Sequence, residues 1–154
     1  MKKLLILLAI FAASTGCKPH DNTSKNYQSV GLEKDDSTFL ALKDSAQVHI
    51  KTFITVIDSF ANDTVQYRLA IKSDYVDKDA HEHMWSRIYS YSNGLFKGTF
   101  MDSAYYLKNI RYGDSVSIRK EDVEDWSVYN TVTHRSIGDF SEAYLKSKMK
   151  TSDN

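Results

Sequence analysis

Apolar positions along the 154-residue chain follow three regimes. The first is a block: Met1, Lys2 and Lys3 precede a run that is apolar from Leu4 to Ala13, and Ser14, Thr15, Gly16 and Cys17 follow it. The second is helical. Phe39, Leu42, Ala46, Ile50, Phe53, Ile57 and Phe60 recur at steps of three and four, while Lys43, Asp44, Gln47 and Lys51 occupy the other side. This spacing draws one apolar stripe and predicts an amphipathic helix over residues 37–59. Asp35 and Asp36 suit its positive N-terminal end, and Asn62 with Asp63 ends it.

The third regime has period two. Val65, Tyr67, Leu69 and Ile71 alternate with Gln66, Arg68, Ala70 and Lys72, which predicts a half-buried strand. Asp77, Lys78 and Asp79 read as a polar turn before a second strand over 81–91. That strand carries Glu82, Met84, Ser86 and Ile88 on one side and His83, Trp85, Arg87 and Tyr89 on the other, so both faces need partial cover. Asn93-Gly94 favours a type I′ hairpin turn into a third strand over 95–101. Tyr105, Tyr106 and Leu107 suggest a short helical turn, and 115–119 a fourth strand. An acidic segment, 121–125, then leads into Trp126. Tyr144, Leu145 and Met149 place a last amphipathic helix in 140–150. The pattern predicts an α+β domain: an N-terminal amphipathic helix packed on a small, curled, mostly antiparallel sheet, closed by a short C-terminal helix.

Composition changes the picture at the N-terminus. Residues 1–16 have the order of an export signal, a basic start, an apolar core and a small-residue end, and the apolar run is shorter than the ~20 residues a permanent span needs. Cys17 is the only cysteine and follows Gly16 directly, the position at which a lipoprotein receives its diacylglycerol and palmitate. Residues 17–36 are largely polar and read as a flexible tether, with the domain over 37–150. The expected location is the cell envelope, on the periplasmic face or the cell surface, with the membrane reached through lipid on Cys17. Loss of residues 1–16 removes Lys2 and Lys3 and leaves 18 basic against 20 acidic residues. No basic stripe exists, so nucleic acid is not an expected partner.

Four landmarks, in order, resemble a known family. They are Lys72 ahead of Glu82-His83-Met84-Trp85; Gly94, Phe96 and Gly98 in the hairpin; Gly113-Asp114 before Val116; and Asp125-Trp126. Over about residues 37–135 the chain is similar to the family of domain of unknown function 2314 (DUF2314). Thr133-His134-Arg135 matches a later family segment, although the connection before it is short and has no glycine. The resemblance implies a small α+β domain, exported in some members. A related family is associated with immunity proteins against bacterial toxins, which would make the role one of binding a toxin.

The candidate functional surface is Lys72, Glu82, His83, Trp85, Asp125 and Trp126. His81 and His83, two apart on a strand, point the same way and invite a metal only if Asp77, Asp79 or His134 supplies a third ligand; no metal or other cofactor is expected from so short a pattern. Lys72, Glu82 and Asp125 read as a charge network tying the hairpin to the Asp-Trp segment, with a hydrolytic or metal-dependent enzyme using Glu82, His83 and Asp125 as the alternative. Trp85 and Trp126 fit either a core or a ligand groove. His49 and the Tyr105-Tyr106 pair fit positions between buried and wet surroundings. There is no Gly-x-Ser-x-Gly elbow and no glycine loop for phosphate. The expectation is a noncatalytic, membrane-tethered module that binds a protein or an envelope component.

Overall fold

The computed structural model describes residues 36–78 and 80–151, with the side chains of 149–151 outside the description. The expected signal, tether and lipidation site, Cys17 included, lie outside the described residues, apart from Asp36. Two helices, α1 (Ser37–Val48) and α2 (Ile50–Phe60), precede the strands β1 (Tyr67–Asp77), β2 (Ala80–Ser92), β3 (Leu95–Phe100), β4 (Ser115–Arg119), β5 (Val123–Asn130) and β6 (Arg135–Gly138). Helix α3 (Glu142–Thr151) closes the chain. The strands form one antiparallel sheet in the order β4-β3-β2-β1-β5-β6. Among the described residues no helix is long and apolar enough to cross a membrane.

Asp36 begins α1 as expected, its carboxylate accepting from the Phe39 N–H at 3.0 Å. The single long helix read from the sequence is instead two, broken at His49. The apolar stripe runs through the break, so periodicity could not reveal it. Ala46 C=O, which a continuous helix would offer to Ile50, accepts the buried indole N–H of Trp126 at 3.0 Å. Ser45 C=O meets both the backbone N–H and the imidazole Nδ1 of His49.

Ile50, Phe53 and Ile57 of α2 then bury against Leu69, Ile71, Ile88, Phe96 and Trp126 on one sheet face. Phe53 lies between Phe96 at 5.8 Å and Trp126 at 5.5 Å, counted between ring centres. The Asn93-Gly94 turn is as expected, with φ of 51° and 78° at its two centres. Gly98 is required by close approach. A Cβ there would fall 1.9 Å from the Arg87 carbonyl oxygen on β2.

Three further expectations need correction. The acidic segment 121–125 is a 3₁₀ turn followed by the start of β5, a strand next to the sheet centre. Asp77 continues β1 rather than beginning a turn. Residues 105–107 form a loop, not a helical turn, and Tyr105 and Tyr106 are 68% and 56% exposed. The missing glycine in the β5–β6 connection is also explained. Asn130 Oδ1 accepts the N–H groups of Val132 and Thr133, both at 2.9 Å, and His134 takes the left-handed conformation at φ 55°.

Strand β6 pairs only with Ser127–Asn130, so the first half of β5 has no strand on the side away from β1. Helix α1 covers that edge. Gln47 Nε2 donates to the carbonyls of Val123 at 2.6 Å and Lys120 at 3.0 Å. Beyond β6 the chain returns to the same place, where the Asp139 N–H meets Trp126 C=O at 2.9 Å.

Candidate functional site

Strand pairing sorts the six candidate residues. Lys72 lies opposite Trp85 on β2 and Asp125 on β5, so these three share a sheet face, and His83 shares it two residues before Trp85. Glu82 and Trp126 belong to the other face, the one that carries α2. Sequence neighbours in a strand point apart, and the Glu82-His83 and Asp125-Trp126 pairs are each divided in this way.

Glu82 holds a loop. Its carboxylate accepts the N–H groups of Tyr105 at 2.6 Å, Tyr106 at 2.9 Å and Leu107 at 3.4 Å. It therefore takes no part in the expected charge network with Lys72 and Asp125. Asp125 is wholly buried and also committed. Oδ1 accepts from the N–H groups of Trp126 at 2.8 Å and Phe140 at 3.1 Å, and Oδ2 from the Ser141 N–H at 2.8 Å and Ser141 Oγ at 2.6 Å. It fixes the turn into α3. Trp126 is core, between Phe53 and Phe140. An acid–base arrangement of Glu82, His83 and Asp125 has no common point in this geometry.

A residue outside the sequence-derived set completes the open face. Glu124 sits where the β1–β5 register shifts between Lys72 and Ser73, and this irregularity accommodates it at 4% exposure. Its carboxylate receives Lys43 Nζ from α1 at 3.2 Å and His83 Nδ1 from β2 at 2.6 Å. Burial alone pushes the Glu124 carboxyl up; the His83 hydrogen bond and the charges of His83 and Lys43 outweigh it and hold it below the usual value. The Glu124 hydrogen bond in turn raises the His83 imidazole, against the effect of burial. Phe39 meets the His83 ring edge-on at 5.9 Å between centres.

The signs of these shifts define a pH window. A raised His83 contributes stability that is complete below its ordinary value near 6.5 and is lost as pH rises through the folded value. A lowered Glu124 contributes stability that is complete above its ordinary 4.5 and is lost as pH falls through the folded value. The pair should therefore help most between about pH 4.5 and 6.5. Because the His83 side chain is 40% exposed, screening limits the loss toward pH 8 to less than ~1 kcal/mol. Urea unfolding of wild type and His83→Gln at pH 6 and pH 8 should show this decrement in wild type only. An equal decrement in both would remove the assignment to His83.

Lys72 is the most unusual group on this face. The residue is 8% exposed, and among the described residues its ammonium has neither a hydrogen bond nor an ion pair. It stands 5.9 Å from the ring centre of half-buried Trp85, within cation–π range. Burial lowers its pKa, while Glu124, Asp125 and Glu142 act in the opposite direction. His81 pairs with Asp74 Oδ2 at 2.8 Å. His134 hydrogen-bonds Tyr129 at 2.9 Å in the β5–β6 turn, and Asp79 lies outside the described residues. Among the described residues no group of three His, Cys, Asp or Glu side chains is placed to hold a metal ion.

Lys43, Asp74, Glu124 and Ser141 were not foreseeable as members of this region. Their partners are distant in sequence or, for Asp74, depend on strand register. One cue existed. Two adjacent acids between Val123 and Trp126, if that segment enters the core, must find donors there.

A family model described as uncharacterized protein conserved in bacteria (DUF2314) matches residues 29–154. A relative, "Uncharacterized protein YegJ" of Escherichia coli strain K12, is 30% identical over 129 residues, covering 82% of this chain and 77% of that protein. No solved structure matches. With most of its length inside the family model, and with a relative that spans most of both proteins, the chain belongs to the DUF2314 family.

Proposed function

We propose that the chain is a noncatalytic binding module, held in the cell envelope by lipid on Cys17, that meets a protein or envelope partner on the face bearing Lys72, Trp85 and His83. The observation that carries this reading is how the polar groups are distributed. The two carboxylates a hydrolytic reading would recruit, Glu82 and Asp125, are already acceptors for backbone N–H groups of the domain itself. Among the described residues the Lys72 ammonium has no hydrogen bond or ion pair, and the half-buried Trp85 ring lies beside it. A tryptophan with an adjacent ammonium is a common anchor for recognition, because the ring supplies apolar area and the charge supplies specificity.

A photo-crosslinking residue tests the face. Placed at Tyr89, on the Trp85 side of β2, it should yield one discrete adduct in intact cells. Placed at Val48, an exposed position on α1, it should not. Equal labelling from both positions, or turnover of a small substrate by the purified protein without any adduct, would overturn the reading. The tether is tested separately. Cys17→Ala should move the protein out of the membrane fraction without changing its thermal unfolding, since two or more acyl chains supply the attachment. Retention of the variant through a carbonate wash would refute lipid anchoring.

A further inference from the structure

Three carboxylates lie near enough to act on Lys72, and each has a partner elsewhere. Glu124 is bound by Lys43 and His83, Asp125 by Phe140 and Ser141, and Glu142 pairs with Lys146 at 2.9 Å. None of them closes on the Lys72 ammonium. Two residues along the same strand and on the same face, Asp74 gives one oxygen to His81, while its other oxygen, Oδ1, is buried without any hydrogen-bond partner. A buried acceptor left unpaired costs about 1–3 kcal/mol. One face thus keeps a donor without a partner and, two residues along β1, an acceptor without one, with the Trp85 ring next to the donor.

Building on the binding-module reading above, we propose that this face takes a ligand carboxylate flanked by an N–H and an apolar body, the chemistry shared by a peptide C-terminus and an N-acylated amino acid. The carboxylate accepts from Lys72 Nζ, the N–H donates to the partly exposed Asp74 carboxylate, and the apolar body lies on the Trp85 ring. A monoanion fits better than a phosphate. Among the described residues of this face Lys72 is the cation without a hydrogen bond or ion pair, Arg87 donating to the Thr64 carbonyl, and a second negative charge would add to those of Glu124, Asp125 and Glu142. His83 has its Nδ1 on Glu124 and keeps its second ring nitrogen available at the edge of the same face.

Calorimetric titration of the full lipidated chain in detergent tests this with defined probes: N-acetyl-leucine, tri-leucine, tri-leucine amide, 4-methylpentanoate and inorganic phosphate. At least one of the first two should bind saturably, with the amide and phosphate at least tenfold weaker. 4-Methylpentanoate, which keeps the carboxylate and apolar body but lacks the N–H, should bind several-fold more weakly than N-acetyl-leucine, and that gap should close in Asp74→Ala. Preference for tri-leucine identifies a protein C-terminus as the source, and preference for N-acetyl-leucine a small acylated amino acid. Lys72→Met should lose tenfold or more in affinity while its thermal midpoint stays at or above wild type, since the change removes a buried charge. Lys72→Gln provides a second variant if Met misfolds.

Equal affinity in folded Lys72→Met, stronger binding of phosphate, or no saturable binding of either free-carboxylate probe would overturn the proposal. If no carboxylate binds but the Tyr89 adduct still forms, this inference falls alone. If carboxylates bind and the adduct does not form, the binding-module reading is the one that fails.

Discussion

Asp125→Ala should lower the free energy of unfolding by about 3–5 kcal/mol, a large part of the ~5–15 kcal/mol typical of a domain. The carboxylate is fully buried and accepts three backbone N–H groups and one hydroxyl, so its removal leaves several donors in the interior without partners. Those donors belong to two segments, the middle of β5 and the 140–141 turn, and their loss should loosen α3 before the sheet. Asp125→Asn should lie between wild type and alanine. It keeps the acceptor for Trp126 and Phe140 but turns an amide N–H₂ toward the Ser141 donors. Urea unfolding measures the totals, and limited proteolysis after residue 138 reports the local effect. A loss below 1 kcal/mol for alanine would show that Asp125 is free to serve a ligand after all.

Trp126→Ala should cost about 3–5 kcal/mol, because it opens a cavity among Phe53, Phe140 and the α1–α2 junction. Trp126→Phe should cost roughly 1–2 kcal/mol, the indole hydrogen bond to Ala46 together with part of the contact area. The order of the two variants is the informative part. If phenylalanine were as damaging as alanine, the hydrogen bond at the helix break would outweigh the packing. Neither variant should change where Lys72 and Trp85 stand, since Trp126 faces the opposite side of the sheet.

Much of the fold is legible where one local signal decides the outcome. The Asn93-Gly94 hairpin follows from the conformations those two residues tolerate, and the start of α1 from the short reach of the Asp36 carboxylate to the Phe39 N–H. The half-buried strand read from the alternation of β1 needs correction, since Leu69 to Ser73 are all buried, Ala70 and Lys72 included, but the α2 stripe is likewise periodic and visible. Strand β5 is not. Val123 to Val128 are buried on both faces, so no alternation exists, and two adjacent acids in such a run read as surface. What makes them tolerable inside is Lys43, His83, Phe140 and Ser141, and nothing in the local sequence announces those donors.

The same logic governs the candidate site. Lys72, His83 and Trp85 are brought together because strand register is fixed by the hydrophobic faces. Glu82 and Trp126, adjacent to members of that set, fall on the far side for the same reason. A motif of consecutive residues in a strand is therefore two half-motifs, one for each face. Here Glu82 and Trp126 build the domain, while Lys72, His83 and Trp85 lie on the face proposed above for binding.

The cover that α1 places over the open half of β5 has a consequence for how the chain is made. An unpaired strand edge is a template for the edge of another molecule, and the exposed interval is when a new chain is most prone to stick to its neighbours. Synthesis proceeds from the N-terminus, and Gln47 leaves the ribosome well before Val123, to whose carbonyl it will donate. The guard is thus available before the edge it guards. A circular permutant that moved α1 behind β5 would keep every native contact and lose only this head start.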